Sequence, residues 1–146
     1  MRLLFATWTA VMFILTCTKD PYRLLEGEVS FILNFNPHWS DLFTLPSLSG
    51  IRWIEFSVHV FIFFILTGIL IGVFNRISSS VMIAILYGIG TELLQPVFSR
   101  GAEGIDLLAD AVGIIAFVML YGIVKISFMI GRKNASELDK RMRDVI

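Results

Sequence analysis

Three long apolar runs restrict this chain to folds that cross a membrane. They cover Ile54–Phe74, Val81–Phe98 and Leu107–Ile130, and each approaches or exceeds the ~20 residues that a helix needs to span the hydrocarbon core. Backbone polar groups inside a bilayer must be satisfied internally, so such runs form helices. The composition agrees, because 56% of the residues are hydrophobic and only 16% are charged, whereas soluble domains carry about 25% charged residues.

A fourth apolar run, Leu3–Thr18, predicts a short first helix. A cleaved signal or a lipoprotein acceptor at Cys17 would need small residues before the cleavage point, and Leu15 and Thr16 are a poor match. We therefore predict one all-α membrane domain over residues 1–146, a bundle of four transmembrane helices with an outer loop at 19–52 and a polar tail at 131–146.

Basic residues near the helix ends predict that both termini are cytoplasmic, because cytoplasmic loops carry an excess of Lys and Arg. In this orientation four basic residues face outward: Lys19, Arg23, Arg52 and Arg100. Eight basic residues face the cytoplasm: Arg2, Arg76, Lys125, Arg132, Lys133, Lys140, Arg141 and Arg143.

The outer loop contains an aromatic segment at residues 29–39 that is too short and too polar to span. Two interpretations stay open from the sequence. The segment either lies on the membrane surface, with its aromatic side chains at the headgroup level, or forms an ordered cap over the helices.

Polar residues inside the apolar runs indicate a site. His59 lies near the start of the second helix, Glu92 near the end of the third and Asp110 near the start of the fourth. At ~1.5 Å per residue, all three lie within about 5–10 Å of the outer helix ends. Ionisable groups in membrane helices usually face the interior of the bundle and mark a functional site.

Helical spacing puts these polar residues on packed faces. One stripe of the third helix carries Ala84, Gly88, Glu92 and Gln95. One face of the second helix carries Glu55, His59, Ile62 and Leu66. Small residues beside a buried acid predict close packing against neighbouring helices.

The turn between the last two helices adds Arg100 and Asp106. The guanidinium of Arg100 could bind a phosphate or carboxylate through two parallel hydrogen bonds. A structural interpretation is open as well, in which Arg100 pairs with Glu92 to fasten the turn and Asp106 caps the fourth helix.

The same residues say little about cofactors. His59 with Glu92 and Asp110 would be an oxygen-rich set suited to hard cations, but nothing in the spacing requires an ion, and we predict neither a metal nor another cofactor. A single cysteine excludes an intrachain disulfide. Zero formal net charge, with 12 basic and 12 acidic residues, argues against nucleic acid as a partner.

Taken together, these motifs resemble the signature of the VanZ-like family, named for a teicoplanin-resistance protein. Glu92-x-x-Gln95, then Arg100, Asp106-Leu107-Leu108-Ala109 and Gly113, follow a pattern like ExxQxxxPxR…DxxxNxxG, and Glu55–His59 resembles its DKxxH element. Phe56 replaces the usual Lys and Asp110 the usual Asn. The resemblance implies a small multi-pass protein of the bacterial cytoplasmic membrane.

Three functions stay open. The leading prediction is a site that recognises the headgroup of an envelope lipid or of a lipid-linked cell-wall precursor, with a link to glycopeptide resistance implied by the resemblance. An enzyme acting on such a lipid would use Glu92 and His59 for acid–base chemistry. A structural membrane partner would need no ligand. The binding residues predicted for the first function are Glu55, Gln95, Arg100, Asp106 and Asp110.

Overall fold

The computed structural model describes residues 2–19, 26–27, 31–44 and 50–143. Its four α-helices are α1 (Arg2–Cys17), α2 (Trp53–Phe74), α3 (Ile77–Leu94) and α4 (Gly104–Arg143), with 3-10 turns at Ser40–Phe43 and Gln95–Phe98. All regular structure in these ranges is helical. Parts of the predicted outer loop, at 20–25, 28–30 and 45–49, and the tail end at 144–146 lie outside the described residues.

Three helical segments are long and apolar enough to cross a membrane: Trp53–Phe74, Ile77–Phe98 and Gly104–Arg143. The protein is therefore a helical membrane protein. The first helix has 16 residues, or ~24 Å at 1.5 Å per residue, which is shorter than the ~30 Å hydrocarbon core. The described residues thus show three candidate spans, and a fourth span by α1 stays a prediction.

The last helix is longer than the sequence pattern predicted. A helix over Leu107–Ile130 with a separate tail was wrong, because α4 runs unbroken for 40 residues, which is ~60 Å. After Gly131 the chain contains neither Gly nor Pro, and five of its last fifteen residues are Lys or Arg. Since these residues favour helix, the helix continues after its apolar character ends.

The connection between α2 and α3 is tighter than predicted. The predicted apolar runs left residues 75–80 between the two helices, but Asn75 alone, in the left-handed conformation with φ 53°, ends α2. Asn tolerates this conformation better than most residues. The next helix then begins at Ile77 rather than Val81, and Ser80 donates its hydroxyl to the Arg76 carbonyl in the first turn.

The core lies along α2, which packs against the three other helices. Its predicted polar face is buried as expected, since Glu55, His59, Ile62 and Leu66 are at most 9% exposed. The predicted stripe of α3 is buried too. The apolar core consists of Met12, Ile62, Phe63, Leu66, Leu70, Ala84 and Ile114.

The described part of the aromatic loop segment, residues 31–39, packs over the end of the bundle at which α1 and α3 finish. Phe31 contacts the rings of Phe13 and Phe98. The backbone N–H of Asn34 donates to the Val97 carbonyl at 2.8 Å, and Trp39 Nε1 donates to the Leu93 carbonyl at 3.2 Å. Residues 31–39 are therefore fastened to α1 and to the end of α3.

Glycine permits the closest helix contact, at Gly113 of α4. A Cβ atom there would lie 2.3 Å from the Val60 carbonyl oxygen and 3.0 Å from the Phe64 nitrogen, both of the α2 backbone. Neither backbone atom can move away alone, so a side chain at this position would push the two helices apart.

We expect Gly113→Ala to lower the thermal unfolding temperature in detergent, at a cost of about 1–3 kcal/mol typical of overpacking. The matched control is Gly122→Ala on the same helix, where a Cβ would meet nothing within 4 Å. That variant should be neutral or slightly stabilising, since Ala favours helix. Equal unfolding temperatures for the two variants would contradict the close α2–α4 contact.

Candidate functional site

The centre of the site is a histidine held between two carboxylates. His59 Nδ1 of α2 lies 2.8 Å from Asp110 Oδ1 of α4, and His59 Nε2 lies 3.7 Å from Asp106 Oδ2. Asp106 and Asp110 are four residues apart, so both point from one face of α4. All three residues are at most 3% exposed.

The third helix brings Glu92 to the same place. Its Oε1 atom accepts a hydrogen bond from Gln95 Nε2, and its Oε2 atom accepts one from the backbone N–H of Glu103 at 3.1 Å. Gln95 reaches Glu92 because residues three apart are neighbours on a helix, and the chain continues from α3 into a 3-10 turn that contains Pro96.

These contacts combine into one buried polar centre. One ligand atom each of His59, Glu92 and Asp106 lies within 4.8 Å of the others. Residues of three separate helices therefore come together in one place. We call His59, Glu92, Gln95, Asp106 and Asp110 the polar centre.

The polar centre has more hydrogen-bond acceptors than donors. Gln95 Oε1 and Asp110 Oδ2 are buried without a hydrogen-bond partner. Within the described part of the chain, the ion pairs of Asp106 and Asp110 involve only His59. Because an unsatisfied buried acceptor costs about 1–3 kcal/mol, the arrangement calls for an additional donor or cation.

The predicted site residue Arg100 lies beside the polar centre and fastens α1. Its Nη1 donates to the carbonyls of Leu15 at 2.8 Å and Thr16 at 3.0 Å. Its Nη2 lies 3.6 Å from Glu55 Oε2. The interpretation in which Arg100 pairs with Glu92 is therefore wrong. The turn directs the guanidinium toward the last residues of α1 and the first turn of α2 instead.

The interpretation of Asp106 as a helix cap is also wrong. The fourth helix begins at Gly104, and the Asp106 N–H donates to the Glu103 carbonyl at 3.0 Å. Asp106 thus lies in the first turn, where the helix dipole favours a negative charge. Its carboxylate stays available to face His59.

Sequence reasoning missed the rim of the site. Arg52 Nη2 lies 3.1 Å from Glu55 Oε2 and also contacts Glu103 Oε1. The Arg52 side chain is 55% exposed, so it presents an accessible cation at this end of the bundle. Partial burial raises the pKa of the Glu103 carboxyl, and the Arg52 charge opposes that effect. The available signal was the position of Arg52 and Glu103, each directly before the first residue of a helix, α2 and α4 respectively.

Fold and site together define a helical integral membrane protein with a buried polar centre. The chain is 30% identical over 136 residues to the uncharacterized membrane protein YwnJ of Bacillus subtilis (strain 168), an alignment that covers 85% of this chain and 91% of the relative. It belongs to the same family as that membrane protein. No family model and no solved structure matches the chain.

We expect Arg100→Gln to lower the thermal unfolding temperature, because the loss of the guanidinium leaves the Leu15 and Thr16 carbonyls without their donor, at about 1–3 kcal/mol per buried group. Arg100→Lys should recover part of the loss, since an ammonium is a point charge without the planar fork. The control is Arg76→Gln, at an exposed arginine in the turn between α2 and α3. Wild-type stability for both Arg100 variants would show that the guanidinium does not fasten α1.

Proposed function

We propose that this chain is a VanZ-like membrane protein whose polar centre recognises the headgroup of an envelope lipid or of a lipid-linked cell-wall precursor. The observation that supports the proposal most is the pair of unpartnered acceptors, Gln95 Oε1 and Asp110 Oδ2, inside an otherwise apolar bundle. A ligand that supplies donors would satisfy them. Buried polar residues in membrane helices usually serve such a purpose.

The chemistry of the polar centre favours hydroxyl or ammonium groups. Glu92, Asp106 and Asp110 accept hydrogen bonds when ionised and would repel an anion. A phosphate of the same headgroup would instead bind at the rim, where Arg52 is exposed and a guanidinium can bind phosphate in a bidentate manner. Arg100 supports this rim through Glu55.

An apolar groove between α2 and α4 suits the acyl chain of such a lipid. It measures about 560 Å³ and is lined by Phe56, Ser57, Val60, Phe61, Phe64 and Val112. The groove begins one residue after Glu55, so a chain lying in it would place its headgroup at the outer end of α2. The groove therefore suits the apolar part of a lipid whose headgroup lies at the rim.

The orientation of the helices in the membrane is proposed as well. With four spans and both termini cytoplasmic, the polar centre lies near the outer face of a bacterial cytoplasmic membrane, where cell-wall precursors are used. The link to teicoplanin resistance also belongs to the proposal and comes from the VanZ-like motif alone.

Cysteine labelling tests the orientation after Cys17 is replaced by Ser. A cysteine introduced at Gly101, which is exposed in the outer turn, should react with an impermeant maleimide added to whole cells. A cysteine introduced at Ser136, exposed on the last part of α4, should react only after the membrane is opened. The reverse pattern would contradict the proposed topology.

A second candidate function is an enzyme acting on the same lipid. The favouring observation is the 2.8 Å contact of Asp110 Oδ1 with His59 Nδ1, which orients the ring with Nε2 toward Asp106. A base oriented by a carboxylate is a common arrangement in acid–base catalysis. Glu92 would be the second proton-transfer group.

Lipid retention tests the proposed function. The protein is purified from its own membrane in mild detergent, and bound lipids are identified by mass spectrometry. We expect one lipid class to be retained, and Ser57→Trp, which fills the groove, to reduce it about tenfold, or ~1.4 kcal/mol. The control, Ile126→Trp, places the same side chain at an exposed position of α4 outside the groove and should retain the lipid.

Glu92→Gln separates the two candidate functions in the same measurement. Loss of the lipid supports recognition by the polar centre. Retention of the lipid together with accumulation of an unmodified form in the membrane supports the enzyme. Identical lipid profiles for wild type, Ser57→Trp and Glu92→Gln would contradict both functions.

A further inference from the structure

The polar centre buries three carboxyl groups beside a single histidine. Glu92 is 0% exposed, and Asp106 and Asp110 are each 3% exposed. Among the described residues the only ion-pair partner of Asp106 and Asp110 is His59, which carries at most one positive charge, and Glu92 has no ion pair. Buried charges that are not compensated are strongly unfavourable, so the centre requires bound protons or a bound cation.

We propose that His59 Nε2, Glu92 and Asp106 bind a divalent metal ion. At coordination distances of about 2.0–2.2 Å, ligand atoms of one ion lie up to about 4.4 Å apart. His59 Nε2 and Asp106 Oδ2, at 3.7 Å, fall within that range. All three ligand atoms lie within 4.8 Å of one another, so a small side-chain adjustment brings them onto one ion.

The Nε2–Asp106 distance also argues against a direct hydrogen bond. At 3.7 Å the two atoms are beyond the 2.7–3.2 Å range of an N–H···O bond. They are, however, close enough to share a third atom. An ion between the histidine nitrogen and the carboxylate oxygen accounts for both their proximity and their separation.

Asp110 is the positioning residue of the proposed site. Its Oδ1 atom, 2.8 Å from His59 Nδ1, accepts the proton on that nitrogen and leaves the lone pair of Nε2 for the ion. A carboxylate behind the histidine is the usual partner of a metal-bound imidazole, and its loss typically weakens binding 10–100-fold.

The unpartnered acceptors are compatible with a metal ion as well as with a lipid headgroup. Gln95 Oε1 belongs to the amide that donates to Glu92, and Asp110 Oδ2 to the carboxylate that orients His59. Three protein ligands leave positions on an ion for water, and those waters donate hydrogen bonds to buried acceptors. One imidazole with two carboxylates suits Zn²⁺ or Mn²⁺.

Metal binding by the purified protein tests this inference. The full chain is purified in detergent without chelator for elemental analysis, then stripped and titrated with Zn²⁺ and Mn²⁺. We expect close to one ion per chain in wild type and at least 100-fold weaker binding in Asp106→Asn and His59→Asn. Asp110→Asn should bind 10–100-fold more weakly than wild type. Glu137→Gln, which removes an exposed carboxylate on the last part of α4, should bind like wild type.

A spectroscopic measurement keeps the test independent of variant folding. Mn²⁺ bound to wild type should show the magnetic coupling of one directly ligated imidazole nitrogen. No binding of either ion by wild type up to about 1 mM, or a bound Mn²⁺ without that nitrogen, would overturn the inference. The inference does not depend on the proposed lipid function, because metal is measured without added lipid and lipid retention is measured separately.

Discussion

The constraint behind the structure is the cost of placing carboxylates inside a membrane bundle. Glu92, Asp106 and Asp110 are almost fully buried, and hydrocarbon cannot solvate them. The protein keeps them only because α2, α3 and α4 surround them at one depth and supply a histidine, an amide and a backbone N–H. These partners leave Gln95 Oε1 and Asp110 Oδ2 without a hydrogen bond. The missing donor or cation is the reason to regard the centre as a binding site.

The surrounding structure brings these three helices together. Gly113 lets α4 approach the α2 backbone, and Gly88 leaves space for Asp110, whose Oδ2 would lie 2.8 Å from a Cβ at that position. The turn after Pro96 carries the Glu103 N–H to Glu92. Arg100 then fastens the end of α1. The contacts at Gly88 and Gly113, the turn after Pro96 and Arg100 therefore hold the helices in the positions that form the polar centre.

Much of this arrangement was predictable from local pattern. Hydropathy located the apolar helices, and residue depth brought His59, Glu92 and Asp110 to one level. The end of α4 was not predictable from hydropathy, because the helix continues through polar residues with high helix propensity. The partner of Arg100 and the role of Arg52 were missed because both depend on how a turn directs a side chain between helices distant in sequence, which spacing along one helix does not encode.

An experimental structure of the protein purified from its native membrane is the most direct test of the buried polar centre. The account predicts non-protein density between His59 Nε2, Glu92 and Asp106, with a ligand atom or ion in contact with all three. A well-resolved centre in which His59 Nε2 hydrogen bonds directly to Asp106, with protein atoms satisfying Gln95 Oε1 and Asp110 Oδ2, would contradict it. The polar centre would then be a structural network that needs no ligand.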